Sequence, residues 1–73
     1  NDLVEIHDKI FCFVFQFSPK FHFNDENLAR FQKLSKILND KHRYAFEFRD
    51  QSWFNDVIEE ICRKNNWSIV ISN

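Results

Sequence analysis

The sequence contains no glycine and no methionine. Without glycine the chain cannot form a glycine-rich phosphate-binding loop, which excludes the nucleotide-binding motifs built on one. Asparagine must then occupy positions that require a positive φ, and Asn39 and Asn65 or Asn66 stand where helices are expected to end. Because a natural chain starts with methionine, we expect residues 1–73 to be an internal fragment, a partial domain of a larger protein.

The sequence also lacks an excess of charge and any long apolar run. Its net charge is −1, which gives no electrostatic reason to expect binding to nucleic acid or to an anionic membrane. The longest apolar run, residues 10–15, is far shorter than the roughly 20 residues that span a bilayer. A short basic run at residues 41–44 is interpreted as a solvated loop, because nothing near it in the sequence extends it.

Cysteine is scarce, and the histidines are scattered. Cys12 and Cys62 lack the CxxC spacing, so we expect two buried free thiols, which fits a cytoplasmic location. His7, His22 and His42 show no ligand spacing and are expected to be exposed to solvent. The sequence therefore predicts no metal site, and it identifies no cofactor.

Strand-like and helix-like segments alternate along the chain. Asn24 is a credible N-cap for the first helix, and Asn55 or Ser52 for the second. The predicted elements are, in order, the end of a preceding helix at 1–8, a strand at 9–17, a helix at 24–38, a strand at 43–49, a helix at 55–64 and a strand at 67–71. A β-α-β-α-β order with short loops predicts an α/β fold with parallel strands, here part of a larger (β/α) barrel.

Polar residues near the ends of the first two predicted strands point to a site. Strand alternation places Gln16, Glu47 and Arg49 on the face with the small side chains, while the phenylalanines on the opposite face pack under the helices. Active sites of parallel α/β folds lie at the C-terminal ends of the strands. An ion pair between Glu47 and Arg49 that seals the barrel is an equally good structural interpretation.

Two segments carry a family resemblance. Residues 45–54, AFEFRDQSWF, and residues 15–21, FQFSPKF, resemble motifs of the YecE-like family, and the resemblance covers nearly the whole chain. It implies a TIM-type barrel, with motif positions at Gln16, Glu47, Arg49, Ser52 and Trp53. It supplies no reaction.

The sequence departs from that family pattern at several positions. Ser18 stands where the family usually has proline, and Asn73 where it usually has aspartate. Glycines that the family carries are also missing. If Asn73 replaces a carboxylate, it can accept a hydrogen bond but cannot act as a base.

Three functions remain open from the sequence. In an enzyme, Glu47 and Arg49 are the candidate catalytic residues, with Arg49 holding a small anionic substrate. The candidate substrate-binding residues are Gln16, Ser52, Trp53 and Asn73. The alternatives are a non-catalytic binding or scaffold barrel, and a small α/β domain that self-associates through open sheet edges. The expected partner of the chain is accordingly the remainder of the barrel or a second copy.

Overall fold

The computed structural model describes residues 3–38 and 41–71, and these residues form a mixed α/β fold with a four-stranded sheet and two α-helices. The strands are β1 (Val4–Asp8), β2 (Phe13–Phe17), β3 (Tyr44–Phe48) and β4 (Ser68–Ile71). The helices are α1 (Asp25–Ile37), between β2 and β3, and α2 (Asp56–Asn65), between β3 and β4. A 3-10 turn at Gln51–Trp53 precedes α2. The predicted α/β class is confirmed.

The strands lie side by side in chain order, and their directions differ. β2 pairs with β3, and β3 with β4, in parallel. The register aligns Gln16 with Glu47, and Glu47 with Val70. The prediction of parallel strands is therefore confirmed for the segment from β2 to β4.

The prediction for residues 1–8 is wrong. Val4–Asp8 forms an edge strand, β1, antiparallel to β2, where we expected the end of a helix. Its first four residues alternate between apolar and polar, which is typical of a strand, and Ile6 is 59% exposed at this edge of the sheet. A turn closed by the hydrogen bond from Lys9 N to Cys12 O (2.8 Å) returns the chain into β2. Residues 9–12 are consequently a connection rather than the start of a strand, and Ile10 and Phe11 are 92% and 83% exposed.

The core lies between the helices and one face of the sheet. Phe46, which is fully buried, packs its ring against Phe31 of α1 (centroids 5.2 Å apart) and against Trp67 (4.7 Å). α2 contributes Ile58 and Cys62 to the same cluster. Burying one such side chain contributes about 1.5–3 kcal/mol. The predicted packing of the strand phenylalanines under the helices is confirmed for β2 and β3.

Asparagine caps explain where both helices begin and where α2 ends. Asn24 Oδ1 accepts a hydrogen bond from Asn27 N (2.8 Å) at the start of α1. Asn55 Oδ1 accepts one from Ile58 N (3.0 Å), so Asn55 and not Ser52 caps α2. Asn66 ends α2 in the left-handed region, at φ 58°. Asparagine thus takes a position that glycine usually fills. Asn39 lies outside the described residues.

Both cysteines are free, as predicted, but their surroundings differ. Cys62 is buried in the core, and burial raises the pKa of its thiol to about 11. Cys12 is only half-buried and lies in the turn before β2, not inside a strand.

Candidate functional site

Gln16 and Glu47 meet near the C-terminal ends of β2 and β3. Their register makes them neighbours on the face of the sheet away from the buried phenylalanines, which we call the open face. Gln16 Nε2 donates a hydrogen bond to Glu47 Oε1 (2.9 Å), and both residues are half-buried. The structure therefore brings together two of the residues that the sequence singled out.

Arg49 follows β3 directly and is exposed to solvent. Within the described residues it makes no ion pair and no hydrogen bond, so the alternative of a Glu47–Arg49 ion pair does not form. Glu47 is held by Gln16 instead. The guanidinium keeps its fork of donors available for a planar anion.

Ser52 links the two loops that follow β2 and β3. Its Oγ accepts a hydrogen bond from Phe23 N (2.9 Å) and donates one to Asp50 Oδ2. A hydroxyl has one proton, so this arrangement uses its donor and one of its acceptor positions. Ser52 thus fixes the loop after β3 against the loop after β2. Its predicted contact with substrate stays a prediction.

Asp50 and His22 form a contact that the sequence reasoning missed. Asp50 Oδ2 lies 2.9 Å from His22 Nδ1. The hydrogen bond from Ser52, and then that from His22, lowers the pKa of the Asp50 carboxyl. An ionised carboxylate can only accept hydrogen bonds, so His22 Nδ1 must carry the proton in this contact. The other ring nitrogen, Nε2, then has no hydrogen bond in the described part of the chain.

The only sequence signal for this contact is position. His22 and Asp50 each lie a few residues beyond the end of a strand, and the two strands are adjacent and parallel. The C-terminal ends of parallel strands meet at one sheet edge, so their loops are neighbours. His22 was correctly expected to be exposed, but no pattern paired it with Asp50.

Trp53 lies in the aromatic core at this edge. Its side chain is only 2% exposed, and its ring stacks on Phe48 (centroids 4.8 Å apart) and on Phe21 (5.0 Å). Its Nε1 donates a hydrogen bond to Phe21 O (2.7 Å). In this position Trp53 anchors the loops by packing. Asn73, the remaining candidate, lies outside the described residues.

Neither a cluster of metal ligands nor a membrane-spanning helix occurs in the described ranges. Across residues 3–38 and 41–71, no three His, Cys, Asp or Glu side chains gather as metal ligands would. Neither described helix has the length and apolar character needed to cross a bilayer.

The fold and its polar sheet edge define an α/β protein with a candidate ligand site at the C-terminal ends of parallel strands. The chain belongs to the family described as Protein of unknown function DUF72, whose model matches residues 1–73. No curated protein and no solved structure matches the chain. The family description names no activity, so a function must be argued from the geometry.

Proposed function

We propose that this chain is part of a YecE-like (β/α)₈ barrel whose open face lines the interior, and that Gln16, Glu47 and Arg49 bind a small anionic ligand there. Three features support the barrel. β2, β3 and β4 are parallel and consecutive, two helices connect them, and the buried aromatic side chains gather on one face of the sheet. A TIM barrel repeats this unit, with the helices outside and the other face inside.

β1 places a condition on the barrel. Every strand of such a barrel is parallel, yet β1 runs antiparallel along the outer edge of β2. The proposal therefore requires a parallel strand from outside residues 1–73 to pair with that edge of β2 in place of β1. A structure of the full-length protein with β1 still paired to β2 would contradict the barrel.

The main support for the ligand site is that Glu47 has a hydrogen-bond partner whereas Arg49 has none in the described residues. Gln16 orients the Glu47 carboxylate, whereas Arg49, two residues further on, has an exposed guanidinium with no partner in the described residues. Arginine binds carboxylates and phosphates through two parallel hydrogen bonds, which favours an anion with oxygen acceptors. In the enzymatic form of the proposal, Glu47 moves a proton or orients the substrate. In the non-catalytic alternative, the same residues only hold the ligand.

The test is anion binding by the full-length protein that carries this sequence. Malonate and inorganic phosphate serve as probes in calorimetric titrations. Because a hydrogen bond to a charged group contributes about 1.5–3 kcal/mol, Arg49→Ala should weaken binding by roughly 10- to 150-fold while the protein stays folded.

Arg30→Ala is the matched control. Arg30 is also exposed, but it pairs with Glu26 on α1 through Nη2 (2.9 Å). This variant should bind the probes as the wild type does. Unchanged binding by Arg49→Ala would refute the site, and unfolding of Arg49→Ala would show that the arginine has a structural role.

A further inference from the structure

A depression of about 810 Å³ lies at the opposite edge of the sheet, next to the N-terminal ends of β3 and β4. Its walls come from two separate connections, the one between α1 and β3 and the one between α2 and β4. We call it the basic depression, because Lys41, Arg43 and Lys64 line it. No carboxylate is found among the described residues of its wall.

Two of these cations are not neutralised by the described residues. Arg43 and Lys64 are exposed and form no ion pair in the described ranges. The next residue to Lys64 behaves differently, since Arg63 Nη1 contacts Glu60 Oε2 at 3.0 Å. The positive charges at the depression therefore come from the α1–β3 connection and from the last turn of α2, without a described counter-ion for Arg43 or Lys64.

Helix electrostatics explain only part of this arrangement. The C-terminus of a helix carries a partial negative charge, which favours a cation such as Lys64 in the last turn of α2. Arg43 lies outside both helices and is not accounted for in this way. From the sequence, residues 41–44 were interpreted as a solvated loop because nothing extended the basic run. In the fold, Lys64 of α2 lies beside this loop and adds a third cation to the basic run.

A second depression, of about 550 Å³, adjoins the first along the same basic loop. The two share Lys41, His42 and Arg43. The second also contains Lys9 and Asp8, and the Asp8 carboxylate offsets one of its positive charges and would repel an anion. The charge distribution therefore favours the basic depression as the position of a bound anion, with Arg43 on the boundary between the two.

We propose that the basic depression binds a compact, multivalent phosphate anion, such as a polyphosphate or the phosphate groups of a small phosphorylated molecule. A single exposed cation in water holds an anion weakly, but an anion with several charges can contact Arg43 and Lys64 together. This site differs in place and in residues from the one proposed at Arg49, and neither proposal depends on the other.

The experiment titrates inorganic tripolyphosphate into the full-length protein that carries this sequence, at low ionic strength, and measures affinity by calorimetry. We expect the double variant Arg43→Ala/Lys64→Ala to lose at least about tenfold in affinity. The swap Arg43→Lys/Lys64→Arg, which keeps both charges, should retain most of it. Added salt should weaken wild-type binding, because the charges are exposed.

Two control variants test whether the loss of affinity is specific to the basic depression. Arg63→Ala removes a charge from the same helix that already has a carboxylate partner, and Arg30→Ala removes a similarly paired charge from α1. Both should bind tripolyphosphate as the wild type does. Equal losses in Arg63→Ala and the double variant would show a general charge effect and overturn the inference.

Two further results would also overturn it. If Arg49→Ala alone abolished binding, tripolyphosphate would be bound at the other sheet edge. If a single-stranded oligothymidylate bound the wild type more tightly than tripolyphosphate, through the same two cations, the partner would be a polynucleotide and not a compact anion.

Discussion

The two faces of the sheet differ in composition and in burial. The helix-covered face is aromatic, with Phe15, Phe17, Phe46 and Phe48 buried against one another and against the helices. The open face carries the row formed by Glu5, Gln16, Glu47 and Val70. Because side chains alternate along a strand, adjacent residues such as Phe46 and Glu47 belong to different environments. Core residues and candidate site residues can therefore occupy the same strand without competing for positions.

The largest expected effect is on the helix-covered face. Phe46→Ala should lower the free energy of unfolding by about 3–5 kcal/mol, because it removes a fully buried ring and leaves a cavity among Phe15, Phe31 and Trp67. Urea denaturation followed by circular dichroism would measure it. Glu47→Ala, one residue along on the open face, is the control and should cost far less. Equal losses would mean that both faces contribute alike to stability.

A smaller effect is expected on the open face. Gln16 and Glu47 share one side-chain hydrogen bond in a half-buried position, which should contribute about 0.5–1.5 kcal/mol. A double-mutant cycle with Gln16→Ala and Glu47→Ala, measured by urea denaturation, would give this coupling energy.

The pair Gln16 and Arg49 is the matched control for that cycle. No hydrogen bond joins these two residues in the described part of the chain, so their coupling energy should be close to zero. A coupling of similar size in both cycles would mean that the open face responds to any truncation rather than to the loss of a specific hydrogen bond.

Sequence patterns predicted the faces of β2 and β3 because alternation is a local property. Phe15, Gln16, Phe46 and Glu47 lie on the sides that period-two alternation assigns to them. The starts of α1 and α2 were also predictable, since a capping asparagine acts on residues within one turn.

Two features could not be predicted in this way, because periodicity within a segment does not specify what that segment pairs with. β1 is a short edge strand whose pairing with β2 is set by a turn that local alternation does not reveal. The contact between His22 and Asp50 joins residues 28 positions apart, in two irregular loops. Neither loop has a periodic sequence pattern that would indicate the contact. The two side chains meet because the loops follow the ends of adjacent parallel strands. Loops that follow adjacent parallel strands therefore merit pairwise comparison when a sequence is searched for a site.

The smallest expected effect concerns that loop contact. The folded-state pKa of Asp50 lies below its ordinary value of 3.8, so the unfolded chain binds the proton more readily. The contribution of Asp50 to stability is therefore fully present above that ordinary value, and is lost as the pH falls toward the lower folded-state pKa.

Asp50→Asn should flatten the acid side of the stability–pH profile, measured by urea denaturation at a series of pH values. Asp56→Asn removes an acidic side chain in α2 that forms no hydrogen bond or ion pair with His22 or Ser52. The same flattening in Asp56→Asn would show that net charge, and not the contact with Ser52 and His22, causes the acid sensitivity.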